Sequence, residues 1–244
     1  MTDKEFKIQN DSAIEKMSKN KKLKNQTNEW IKTSALHQYS YNFTWLGLPI
    51  IQYPQDIIAL QEIIWKIKPD LIIETGIARG GSLIFSASLL EIINEGGEVL
   101  GIDIDIREEN KRAIENHPMN KRITMLEGSS IDKDIAEKVY KIAKEKKKIL
   151  IVLDSNHTHE HVQKELNLYA NLVSVGSYCV VFDTIIEDMP KEWDWGSRTW
   201  GVGNNPKTAV FEFLKSNDNF EIDKSIDNKL LISVAPDGYL KRIK

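Results

Sequence analysis

The sequence predicts an α/β fold of the doubly wound, Rossmann-like kind: a mostly parallel sheet with an antiparallel C-terminal strand, preceded by an N-terminal helical extension. Three observations predict it. Short apolar runs at 71–74 (LIIE), 98–103 (EVLGID), 123–128 (ITMLEG), 149–154 (ILIVLD) and 178–183 (YCVVFD) are nearly continuous rather than alternating, as strands buried on both faces must be. Segments long enough for crossover helices separate them, which gives right-handed parallel connections and helices on both sides of the sheet. Beyond residue 217 the runs FEID and KLLISV stand too close together for a parallel crossover, so they are expected to pair antiparallel.

The elements follow in order. Residues 1–40 form the extension, rich in Lys and Asn, with apolar residues loosely spaced at Phe6, Ile14, Met17, Leu23, Trp30 and Ile31; the remaining unit is 41–244. The aromatic, proline-containing stretch 39–54 is expected to be a structured loop. Ile57, Leu60, Ile64 and Ile67 share a helix face that Pro69 ends. Crossover helices are expected in SLIFSASLLEIINE, REENKRAIENH, KDIAEKVYKIAKEK and EHVQKELNLYANLV, and one more opens at Asn205 (N-cap) and Pro206 (first position).

Composition narrows the function. With 244 residues, 41% apolar and 28% charged, the chain suits one sizeable domain, and a net charge of −3 provides no field to gather nucleic acid. Cys179 is the single cysteine, so neither an intramolecular disulfide nor a cysteine zinc site is available. The charged N-terminus has no apolar leader core and no segment is apolar enough to span a membrane. A cytoplasmic protein acting on a small molecule is expected.

The most informative stretch is Glu74-Thr75-Gly76-Ile77-Ala78-Arg79-Gly80-Gly81-Ser82, between the first strand and its helix. Glycines allow a tight turn and close approach of a ligand, and the helix start adds N–H donors. A dinucleotide fingerprint reads G-x-G-x-x-G. Here the spacing is G-x-x-x-G-G behind a carboxylate, which suits a sulfonium amino acid better than a pyrophosphate. Asp103, ending the second strand, is placed to accept from ribose hydroxyls, and Ser129 and Ser130 after the third strand to meet an adenine, although such serines are also natural helix caps. S-adenosylmethionine is the expected cofactor.

The fourth strand ends in Asp154-Ser155-Asn156-His157 and the fifth in Asp183-Thr184. Adjacent strand ends lie about 4.8 Å apart, so Asp154 and Asp183 can aim at a common ion, and hard oxygen ligands favour Mg²⁺, with the nearby histidines leaving Mn²⁺ or Fe²⁺ open. An alcohol attacks a sulfonium methyl only when at least partly deprotonated. Asp154 with a metal, and His157 as base, would serve that need. His159 and His161 are expected to face solvent at the start of the next helix. Residues 187–207, with Trp193, Trp195, Trp200 and Arg198, suit a lid over a sugar, or equally a loop packed on a neighbouring subunit. Trp45, Gln52 and Tyr53 either complete the pocket or seal the sheet.

ETGIARGGSLIFSASLLE, GIDIDIR, EGSS, LDSNHTHEHV, FDTIIEDMP, WGVGNNPKTAVFEFL and KLLISVAPDGYLKRI together resemble the cephalosporin hydroxylase and rhamnosyl O-methyltransferase family, from about Tyr41 onward. The resemblance implies a class I methyltransferase fold, S-adenosylmethionine binding, Mg²⁺ held at the fourth and fifth strand ends in several members, a saccharide or natural-product acceptor, and a histidine base at the position of His157. One departure stands out: where the resemblance implies a Glu-Asp pair, this sequence has Phe182-Asp183. Either Asp154 and Asp183 suffice with Thr184 and waters, or Glu187 or Asp188 substitutes. Hydroxylation itself would need a redox centre, for which the sequence offers no ligand pattern. The rival readings are such an oxidoreductase component and a non-catalytic S-adenosylmethionine-binding partner. A homo-oligomer is expected from the aromatic N-terminal segment.

Overall fold

The computed structural model describes residues 1–244. Helix α1 (Asp3–Lys19) opens with a reciprocal cap between Thr2 and Glu5 and buries none of its residues, whereas α2 (Lys21–Ala35) buries Thr27 and Ile31. A 3₁₀ turn and a two-residue hairpin (Thr44–Trp45 with Leu48–Pro49) lead to α3 (Pro54–Ile67). Trp45 seals rather than lines: its Nε1 donates to Ser88 Oγ at 3.0 Å and its ring meets Phe85 edge-on.

The sheet is then laid down by β1 (Leu71–Thr75), α4 (Gly81–Ile93), β2 (Glu98–Asp103), α5 (Glu108–Glu115), β3 (Ile123–Glu127), α6 (Lys133–Ala143), β4 (Ile149–Leu153), α7 (His159–Tyr169) and β5 (Tyr178–Val181). It is completed by α8 (Pro206–Ser216), β6 (Phe220–Ile222), α9 (Lys224–Leu230) and β7 (Tyr239–Arg242). The seven strands lie in the order β3-β2-β1-β4-β5-β7-β6, with β7 antiparallel to both β5 and β6. The order reverses between β1 and β4, which opens a crevice above their C-terminal ends. Each sheet face carries its own apolar core, one shared with α3 and α4, the other with α6, α7 and α8. Cys179 of β5 sits fully enclosed in the second.

Two expectations need correction. The run at 229–234 is not a strand: its first two residues end helix α9, which Asp223 caps by accepting from the Ser225 amide at 3.1 Å, and Ile226 and Leu230, four apart, lay one helical face on the core. The partner of β6 is instead β7, whose Tyr239 and Leu240 are fully buried. The third run is not continuously buried either. β3 is a sheet edge, and its side chains are half-exposed or exposed throughout.

Candidate active site

The glycine loop is shaped by close contacts within the chain. Gly76 has φ +90°, and a Cβ there would lie 2.0 Å from the Asp154 carbonyl oxygen, because β1 and β4 run side by side in register to Thr75 and Leu153. Gly80 has φ +85° and abuts Ile114, while a Cβ on Gly81 would lie 2.2 Å from the Pro49 carbonyl oxygen. Loop, helix start and hairpin are thus pressed together at the crevice floor. Asp103 is turned toward the same loop: Oδ2 accepts from the amides of Ile77 (2.8 Å) and Ala78 (3.2 Å), and Oδ1 from Asp105 (3.1 Å). A carboxylate offers about four lone-pair sites, so one remains for a ribose hydroxyl. Arg79 points outward to Glu109 at 3.3 Å.

Glu74 is 2% exposed, receives the Ser82 hydroxyl, and leaves Oε2 without a partner. Burial, opposed by the Ser82 hydrogen bond, pushes its carboxyl up to about 7. Ser129 stays half-exposed at the end of the loop after β3. The Ser130 side chain instead turns inward, donating to Glu165 at 2.6 Å.

Asp154, His157 and Asp183 converge, each presenting a ligand atom within 4.8 Å of the others. His157 Nε2 lies 3.1 Å from Asp183 Oδ2, and Asp183 takes a left-handed conformation (φ 55°), which short acidic side chains tolerate. Asp154 Oδ2 accepts from Gln52 Nε2 at 3.0 Å; Gln52 is 7% exposed and keeps Oε1 unpartnered. Burial first, then the facing Asp183 and Glu74 carboxylates, hold the Asp154 carboxyl well above its usual range. Gln52 therefore belongs to the pocket, on the alternative that the sequence left open.

The other acids and the threonine are committed elsewhere. Thr184 is fully buried and donates to the Pro236 carbonyl at 2.6 Å, so its hydroxyl proton fastens a loop. Glu187 accepts from the Gly203 amide at 2.7 Å and from Asn205 Nδ2 at 2.5 Å, and Asp188 pairs with Lys207 at 2.6 Å. Phe182 is buried in the core. Nor do the two later histidines face solvent: His159 Nδ1 lies 2.8 Å from Thr208 Oγ1, and His161 is half-buried against Ser130, Ser155 and Glu165.

Over this cluster comes the segment 187–207. Trp200 stands edge-on to His157, ring centroids 4.8 Å apart, and the Arg198 guanidinium lies 5.5 Å above the Trp200 ring. Trp193 and Trp195 pack beside Ile31, Tyr53 and Met189, which ties the segment to α2.

Residues 37–243 match the family described as rhamnosyl O-methyltransferase/CmcI. The chain belongs to that family. Among its relatives are the rhamnosyl O-methyltransferases of Mycobacterium tuberculosis (strain ATCC 25618 / H37Rv), 31% identical over 82% of this chain and 78% of the relative, and of Mycobacterium leprae, 28% identical over 82% of each. Among solved structures, a CmcI complex with Mg and S-adenosylmethionine superposes with a TM-score of 0.55 at 20% identity, over 84% of this chain and 78% of that one. An O-methyltransferase from Bacillus cereus with bound S-adenosylhomocysteine superposes with a TM-score of 0.51 at 16% identity, over 80% and 81%. These likenesses show the fold. Membership of the rhamnosyl O-methyltransferase/CmcI family makes the chain an S-adenosylmethionine-dependent O-methyltransferase. No helix of this family member is long and apolar enough to cross a membrane.

Proposed function

We propose that the chain methylates a hydroxyl of a saccharide, a deoxyhexose of the rhamnose type in a surface polysaccharide or glycosylated natural product, with Mg²⁺ at Asp154 and Asp183 and His157 as the base. The observation that carries this reading is the convergence of Asp154, His157 and Asp183 within 4.8 Å beneath Trp200. The rhamnosyl specificity in the names of the mycobacterial relatives supports the choice of sugar. The catalytic unit is taken to begin near residue 41, and the setting to be the cytosol.

The donor set fits both groups. Asp154, raised by burial and by two facing carboxylates, is a site of uncompensated negative charge that a dication relieves. The unpartnered buried Oε2 of Glu74 suits an ammonium or sulfonium neighbour. When bound, the metal supplies positive charge that lowers the pKa of a nearby hydroxyl, and the donor supplies an electrophilic methyl. The chain's own side chains do the rest. His157 takes the hydroxyl proton on the ring nitrogen that does not face Asp183, while Asp183, 3.1 Å from Nε2, orients the ring. Gln52 fixes one oxygen of Asp154, and Trp200 excludes water and offers a flat face to a sugar.

The test is mass spectrometry of methyl α-L-rhamnopyranoside incubated with protein, S-adenosylmethionine and MgCl₂. The expected product is heavier by one methylene, disappears with chelator and returns with added Mg²⁺. Absence of heat on titration with S-adenosylhomocysteine overturns the reading.

A further inference from the structure

Helix α7 turns a polar stripe toward the sheet: His161, Glu165 and Tyr169 follow at four-residue intervals beside the buried Val162 and Leu166. Glu165 is 0% exposed. A carboxylate so enclosed needs donors, and it finds them on two loops at once. Its Oε1 accepts from Ser130 Oγ at 2.6 Å and from Ser155 Oγ at 2.7 Å. His161 Nε2 lies 3.5 Å from that oxygen and 3.1 and 3.2 Å from the two hydroxyls. The Tyr169 hydroxyl donates to the Ser130 carbonyl.

Ser130 belongs to the loop after β3, whereas Ser155 follows Asp154 after β4. Two strands, β2 and β1, stand between β3 and β4 in the sheet, so no ladder hydrogen bond couples those loops. Both reach the rim where the donor is proposed to bind, on either side of the glycine loop. We propose that Glu165, with His161 and Tyr169, is a positioning residue that clamps the two loops together, setting the width of the donor crevice and the placement of the Asp154 backbone. The proposal rests on the methyl-transfer reading, since the clamp matters only if a donor occupies that crevice.

Calorimetric titration of the full chain with S-adenosylhomocysteine tests it. Glu165→Gln keeps an oxygen that both serine hydroxyls can reach, and its dissociation constant is expected within about threefold of wild type. Glu165→Leu removes the shared acceptor and is expected to weaken binding about tenfold or more, at unchanged far-ultraviolet circular dichroism. Should the leucine variant not fold, the Ser130→Ala/Ser155→Ala double variant, which spares the core, is expected to show the same loss. A folded leucine or double-serine variant that binds as wild type does overturns the proposal. So does equal weakening in the glutamine variant. A wild type that gives no heat overturns the methyl-transfer reading, and the clamp with it, and is thereby distinguished from failure of the clamp alone.

Discussion

His157 Nε2 lies 3.1 Å from Asp183 Oδ2, a contact between the ends of two strands that are separated in the chain by the whole of α7. Paired this way, the imidazole is held in one orientation, with its other ring nitrogen left to receive a hydroxyl proton. His157→Ala is expected to lower kcat by roughly 10²- to 10⁴-fold, the usual contribution of a positioned base, while the S-adenosylhomocysteine dissociation constant holds. Steady-state kinetics beside calorimetry checks both halves; a weakened dissociation constant with unchanged kcat would remove His157 from the proton's path.

Trp200 leans on that histidine from above. Trp200→Ala is expected to raise the acceptor KM roughly three- to tenfold, the size of a lost aromatic contact, and to leave donor affinity alone. Kinetics at saturating S-adenosylmethionine measures this. A change confined to donor affinity would place the ring on the other side of the crevice.

Gly76 cannot accept a side chain. A methyl group would meet the Asp154 carbonyl oxygen at 2.0 Å, in a backbone conformation (φ +90°) that side chains resist. Gly76→Ala is expected to cost roughly 2–4 kcal/mol in urea unfolding and to abolish donor binding, because relief of the clash spreads β1 from β4. Gly47, with nothing near its Cβ position, is the comparison: Gly47→Ala should cost only the strain of its positive φ, with donor binding intact.

The buried acids give stability a definite pH slope. Glu74 rises from 4.5 to about 7 and Asp56 from 3.8 to about 6, each chiefly through burial. A group raised in the folded state contributes fully below its unfolded pKa and loses that contribution as pH climbs through the folded value. Stability of the ligand-free protein is therefore expected to fall between about pH 4.5 and pH 7 on account of Glu74. A shift of that size corresponds to on the order of 3 kcal/mol. Glu74→Gln should flatten the Tm profile across this window, and S-adenosylhomocysteine should bind more tightly to the wild type at the upper end, where Glu74 is charged. Parallel Tm profiles for the two proteins would remove Glu74 as the cause.

Much of this architecture is legible in the residues themselves. Strands buried on both faces leave continuous apolar runs, so β1, β2, β4 and β5 can be read directly, as can the Asn205-Pro206 helix start, where Asn205 and Thr208 cap each other. The edge strand β3 and helix α9 are harder, because an exposed strand loses its continuous pattern and α9 ends inside the apolar run 229–234, where Leu230 continues the helical face begun at Ile226. The site divides similarly. Strand ends place Asp154 and Asp183 near one another, but spacing is silent on side-chain partners, and Thr184, adjacent to Asp183, donates to the Pro236 carbonyl. Gln52 joins through a contact spanning 102 residues. Glu165 does leave a trace: an acid within the apolar stripe of Val162, Leu166 and Tyr169 signals a buried polar partner.

Cys179, enclosed at the centre of β5 with its thiol pushed far up by burial, has one further consequence. The chain's sole sulfhydryl is inert to alkylating reagents while the strands around it stay zipped, and becomes reactive once they part. Labelling kinetics thus turn this single atom into a native clock for global opening, readable without adding any foreign probe.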